Sequence, residues 1–166
     1  MKYNLKEIFE QQIQLDTHIH QNKKVTYQLV YEHLKLALIV ELAELANEVR
    51  SFKFWSHKQS SPDNIVLEEY VDGIHFITSI CIHFNLDDYV FELPNNILAE
   101  KDKKTLTRKF TQLLTEVADI NNSTTAKAWY QEYLMFGFIL GFKIEQILDA
   151  YITKNLVNHK RQDENY

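Results

Sequence analysis

Two acidic pairs stand out in this chain, Glu41-Leu-Ala-Glu44 and Glu69-Tyr-Val-Asp72, each with i, i+3 spacing inside an otherwise apolar stretch. On a helix, positions three apart lie about 60° apart on one face. A carboxylate turned toward a core costs free energy unless it is paired or bound to a metal. Four of them, two per helix, repel one another unless a positive charge sits between them. A hard divalent cation meets that need, because Mg²⁺ prefers oxygen ligands. Such a cluster suits chemistry on phosphates. Glu48 returns to the face of Glu41, and His75 continues the spacing of Glu69 and Asp72.

A single Glu-x-x-Glu is most often a solvated helix exterior. Here Ile39, Val40, Leu42, Ala43, Leu45 and Ala46 surround the first pair, and Val71, Ile74 and Phe76 flank the second. The apolar surroundings weaken the surface reading, although spacing alone leaves both open. A di-iron carboxylate bundle requires Glu-x-x-His on two helices. Asp72-Gly73-Ile74-His75 is an imperfect half of that pattern, and no Glu-x-x-His accompanies it. Mg²⁺, with Mn²⁺ as a substitute, therefore fits better than an imidazole-rich site. A histidine placed like His75 is more often a core or supporting residue than a ligand.

The elements that must position these residues are helical. Three glycines and two prolines in 166 residues are too few for a turn-rich strand fold. The length predicts one domain, 1–166, with a substantial core. Periodicity predicts a helix over 5–20, with Leu5, Ile8, Phe9, Ile13 or Gln12, Asp16 and Ile19 along one stripe. A long helix over 26–54 carries Leu29, Leu34, Leu38, Leu42, Leu45 and Val49. Residues 56–64 read as a loop, and 65–84 as the helix bearing the second acidic pair. The stretch 85–96 reads as a short helix or irregular connection ended by Pro94. Further helices are expected over 98–120, over 125–140 with Ser123 or Thr124 as cap, and over 143–158. The polar tail 159–166 is expected to be mobile. The fold class is thus all-α, a helical bundle. The aromatic stripe from Trp129 to Phe142 reads as core or as a helix-packing dimer interface.

Composition narrows function further. A formal net charge of −5 carries no basic footprint for duplex binding, so direct nucleic-acid binding is not expected. Cys81 is the only cysteine and its neighbours are apolar, which predicts a buried, unreactive thiol. No signal-peptide pattern or membrane-length apolar run is visible, so a cytoplasmic location is expected.

Glu-x-x-Glu followed by Glu-x-x-Asp resembles the all-α NTP pyrophosphatase superfamily, which includes MazG-like enzymes and dimeric dUTPases. Four further segments are similar to the dimeric dUTPase branch. They are Gln12-Ile-Gln-Leu-Asp16, the aromatic and basic Phe52-Lys53-Phe54-Trp55 within 47–58, the His75-Phe76 that closes the second acidic helix, and the basic stretch from Lys154 to Gln162. The resemblance runs from Gln12 to Arg161. Asp16 stands where an asparagine is common, and the tail from Asp163 to Tyr166 lacks a frequent Gly-Tyr.

The resemblance implies Mg²⁺-dependent hydrolysis of dUTP to dUMP and pyrophosphate, with attack at the β-phosphorus, by a homodimer that limits uracil in DNA. Chemistry and resemblance together assign Glu41, Glu44, Glu69 and Asp72 to metal, with Glu44 or Glu41 orienting or deprotonating the water. Lys53, Lys58, Lys154 and Arg161 would meet phosphate oxygens. Gln12 or Asn158 offers an amide for uracil. Trp55 or Phe76 would stack on base or sugar, and Asp16 and His75 would join the same pocket. Two alternatives stay open: a related pyrophosphatase with another base preference, and a protein-binding role, since phage-borne relatives of this branch titrate a repressor.

Overall fold

A computed structural model describes residues 1–164 of the chain. Six α-helices are described: α1 (Lys6–Lys23), α2 (Tyr27–Val49), α3 (Asp63–His83), α4 (Lys103–Glu116), α5 (Ser123–Ile139) and α6 (Ile144–Asp163). Two short strands, β1 (Lys2–Asn4) and β2 (Val90–Glu92), pair antiparallel with Tyr3 opposite Phe91. The all-α bundle expected from composition is the observed architecture.

Helices α2 and α3 form the centre of the bundle. Tyr31 of α2 stacks on His83 of α3 at one end, while Glu48 receives the Ser61 hydroxyl at the other, so the two helices run antiparallel. Their facing side chains Leu38, Leu42, Leu45, Ile74 and Ile77 are almost wholly buried. Helices α1 and α6 pack against each other and against α3, and α5 covers another side of α3.

The α3–α5 contact is a reciprocal clasp. Tyr70 donates its hydroxyl to the Tyr133 carbonyl at 3.0 Å, and Tyr133 donates to the Tyr70 carbonyl at 2.9 Å. The two rings stack with centroids 4.7 Å apart. Each phenol lies over a glycine of the opposite helix. A Cβ on Gly137 would sit 2.5 Å from the Tyr70 hydroxyl, and one on Gly73 would lie 2.8 Å from Tyr133 Cζ. Gly73 directly follows Asp72, and Tyr70 directly follows Glu69, so the clasp fixes the turn of α3 that carries both acids.

Several boundaries differ from expectation. Helix α2 stops at Val49 rather than near residue 54, because Arg50 takes a left-handed conformation (φ 59°) and its N–H returns to the Ala46 carbonyl. Of the apolar residues along this helix, Leu29 is 66% exposed, whereas Leu38, Leu42 and Leu45 are wholly buried. Of the two forms expected for 85–96, the irregular connection is the one observed, interrupted by the three-residue strand β2 with Phe91 buried against Tyr130. Helix α4 starts only at Lys103, where Asp102 caps the Thr105 N–H at 2.8 Å, and a 3-10 turn replaces its last part over Val117–Asp119. Asn122, not Ser123 or Thr124, caps α5 through a reciprocal pair with Thr125. Helix α6 continues to Asp163, so 159–163 are ordered helix rather than a mobile tail. The remainder of the expected tail, 165 and 166, lies outside the described residues. Cys81 is buried, and burial pushes its thiol well above its ordinary range. The Trp129–Phe136 aromatics are core: Tyr130 and Tyr133 are fully buried. No described helix is long and apolar enough to cross a membrane.

Candidate active site

The antiparallel pairing of α2 and α3 brings the two acidic pairs face to face. Carboxylate oxygens of Glu41, Glu69 and Asp72 lie within 4.8 Å of one another, all on partly buried side chains. Burial, and then the charges of Asp72, Glu44 and Glu69, push the Glu41 carboxyl up to about 7. Glu69 and Asp72 are likewise raised, with burial the largest cause in each. Glu44 is exposed beside this trio and repels both Glu41 and Glu69. Hard, clustered, mutually repelling oxygen donors fit a divalent cation such as Mg²⁺ or Mn²⁺. Glu48 is engaged with Ser61 at the far end of α2, away from the trio.

A cation of the protein's own already touches the cluster. Lys154 Nζ of α6 lies 2.7 Å from Asp72 Oδ2 and 3.1 Å from Glu68 Oε1. Burial pulls the Lys154 ammonium down, but the hydrogen bonds and charges of Asp72 and Glu68 outweigh it and raise it overall. Arg161, two helical turns further along α6, donates to Asn158 Oδ1 at 3.3 Å.

Glu41 and Asp72 open onto a cavity of about 360 Å³ between α1, α2, α3 and α6. That size accommodates a nucleoside. Glu41, Asp72, Lys154 and Arg161 line one part of it. Gln12, Asp16, His75, Phe76, Asn158 and the unforeseen Ser79 line another. Leu15, Val30 and Leu34 add apolar wall.

Behind the polar part runs a buried hydrogen-bond network. Gln12 Nε2 donates to Asp16 Oδ1 at 2.8 Å and to Ser79 Oγ at 3.1 Å. Gln12 Oε1 accepts from His75 Nδ1 at 2.8 Å and from the Tyr151 hydroxyl at 2.8 Å. Tyr27 donates to the other Asp16 oxygen at 2.8 Å. Burial raises Asp16, partly offset by its hydrogen bonds from Ser79, Gln12 and Tyr27.

Of the residues singled out in the sequence, Glu44 and Glu69 lie beside the cavity but off its lining, and Lys53, Trp55 and Lys58 do not line it either. The last three sit in the connection that follows α2, where Trp55 is 64% exposed and Lys53 bonds the Asn47 carbonyl. Ser79 and Tyr151 were missed. Ser79 sits one turn after His75, and Tyr151 lies three residues before Lys154, so helical periodicity from the recognised positions points at both.

The profile of a family described as dUTPase matches residues 4–166. The chain belongs to that dUTPase family and hydrolyses dUTP. No curated protein compared with the chain matches it.

Proposed function

We propose that this dUTP diphosphatase works with Mg²⁺ held by Glu41, Glu69 and Asp72, with Glu44 completing the acidic set. When bound, the cation neutralises the triphosphate and acidifies nearby water. Glu44, exposed and unencumbered by Lys154, takes the proton of the attacking water, with Glu41 as the alternative base. Lys154 and Arg161 hold phosphate oxygens. Phe76 packs against the base or sugar, and Gln12, Asp16, His75 and Asn158 form the base end. Lys53, Trp55 and Lys58 are assigned to substrate by family resemblance alone. The observation carrying this reading is that Glu41, Asp72 and His75 share the wall of one nucleoside-sized cavity.

Residues 1–166 are read as one catalytic domain acting in the cytoplasm, where removal of dUTP keeps uracil out of DNA. A homodimer is proposed as well. Leu29, Leu36 and Val40 are 66%, 62% and 43% exposed, and their spacing puts them on one face of α2. A second copy would cover that stripe.

Pyrophosphate release from a panel of deoxynucleoside triphosphates, with and without Mg²⁺, tests the site. Metal-dependent turnover confined to dUTP and abolished in Glu41→Ala and Glu69→Ala is expected. Activity surviving either substitution would remove the acidic trio from catalysis, and turnover of several bases would favour a broader pyrophosphatase.

A further inference from the structure

The primary amide of Gln12 has no hydrogen-bonding capacity left for a ligand. A carboxamide offers two N–H donors and two oxygen lone pairs. Both donors are taken, by Asp16 and Ser79, and both lone pairs are taken, by His75 and Tyr151. The orientation of the amide is set by chemistry, because the Asp16 carboxylate only accepts. Gln12 must therefore present its nitrogen to Asp16 and its oxygen to His75.

That orientation dictates the state of His75. An oxygen acceptor 2.8 Å from Nδ1 requires the proton on Nδ1, which leaves Nε2 with a bare lone pair. Tyr151 also stacks on the imidazole, with centroids 4.3 Å apart and planes 22° apart, so the ring cannot turn over freely. His75 is 5% exposed and lines the cavity, and its Nε2 is a buried nitrogen without a hydrogen-bond partner among the described residues. Burial, followed by the Lys154 charge, pulls the imidazole down to about 3, which keeps the ring neutral and the lone pair available at ordinary pH.

We propose that Gln12, held by Ser79 and Tyr151, is a positioning residue that fixes His75 as an acceptor, and that His75 Nε2 takes the N3–H of the uracil ring. Uracil carries a donor at N3. Cytosine carries a lone pair there, which would face the lone pair of Nε2 and leave it buried and unpaired. Sites built around one obligatory hydrogen bond reject analogues that cannot make it. Discrimination against cytosine thus begins with a tautomer set three side chains deep, rather than with the amide nearest in type to a base edge. The inference rests on the cavity being the base end of the dUTP site.

The test follows the His75 imidazole nitrogens by long-range ¹H–¹⁵N correlation in the ¹⁵N-labelled full chain, with dUMP and dCMP as probes. The expected result is a protonated Nδ1 and an unprotonated Nε2 before addition, with the Nε2 resonance moving on dUMP and staying on dCMP. A protonated Nε2, or an Nε2 resonance unmoved while dUMP shifts other cavity residues, would overturn the inference and leave the cavity as the site. If dUMP shifts no cavity residue, the reading of the cavity falls too. Kinetics give a second reading. Tyr151→Phe keeps the ring stack but removes one of the two bonds to Gln12 Oε1, and should lower the dUTP-over-dCTP ratio of kcat/KM by about 10-fold. A merely structural role would lower both substrates together and leave the ratio unchanged, which would overturn the positioning role.

Discussion

Lys154 and Asp72 form the closest ion pair inside the acidic site, Nζ to Oδ2 at 2.7 Å on side chains 13% and 17% exposed. The ammonium neutralises part of a cluster whose own charges repel. A divalent cation held as proposed would compete with Lys154 for Asp72, while the triphosphate would offer Lys154 another anionic partner. By linkage, substrate and metal would then favour one another, because each would relieve a cost that the other faces.

Lys154→Met should consequently tighten Mn²⁺ binding to the nucleotide-free protein, by about 10-fold, and weaken dUMP binding in the same preparation. Isothermal titration of each ligand separately checks both. Weaker Mn²⁺ binding in the variant would show that Lys154 supports the metal rather than displacing it.

Removal of one carboxylate should act in opposite directions on the two states of the protein. Glu41 is held well above its ordinary range by burial and by Asp72, Glu44 and Glu69. Glu41→Gln relieves that repulsion, so the metal-free variant should melt at a higher temperature than the metal-free wild type. Adding Mg²⁺ should raise the wild-type melting temperature and leave the variant unmoved, since ligand stabilisation requires a site. Scanning calorimetry in EDTA and in Mg²⁺ gives both comparisons.

His75 gives the fold a defined acid lability. The imidazole titrates at 6.5 when unfolded and is pulled to about 3 when folded. Between those values the unfolded chain binds a proton that the folded protein refuses. The stability linked to His75 is thus whole above pH 6.5, falls as pH drops toward 3, and changes no further below. The slope from this one group is at most about 1.4 kcal/mol per pH unit. Urea unfolding of wild type and His75→Gln from pH 7.5 to pH 4 should show profiles that converge as pH falls. Parallel profiles would mean that the ring is not held neutral.

The tyrosine clasp makes a stability prediction. Gly73→Ala places a methyl group against the Tyr133 ring and hydroxyl, and should cost about 1–3 kcal/mol. Combining it with Tyr133→Phe removes the hydroxyl that the methyl meets, so the double variant should be more stable than the sum of the two single changes predicts. Additive losses would show that the overlap is relieved by helix movement instead.

The acidic pairs were legible in the sequence because i, i+3 spacing within an apolar run survives any reasonable choice of helix boundary. The helical architecture was legible for the same reason. Strand β2 was not, since three residues are too few to establish a period-two pattern, and Phe91 is buried by its partner Tyr3 and by Tyr130 rather than by local alternation. The end of α2 was hidden because Arg50 adopts a left-handed conformation that glycine usually signals. Gln12 was recognisable as important, yet its role depends on four partners drawn from α1, α3 and α6, and no spacing along one helix encodes that convergence.

The small sheet also decides which end of α1 is held most firmly. β1 ties the chain to β2 just before α1 begins, the Leu5 N–H bonds the Tyr89 carbonyl, and Leu5, Ile8, Phe9, Gln12 and Leu15 are buried. From Thr17 to Lys24 the same helix lies at or near the surface. Helix α1 is therefore deeply buried at its start and held more shallowly at its end, where His18 stacks on His159 of α6 and lies 3.6 Å from Asp163, and local opening is cheapest where burial is least. The half that carries Gln12 is the half that cannot yield. If the cavity takes the base as proposed, the base would meet the buried half of the helix, and any loosening of the shallower half would leave the partners of Gln12 in place.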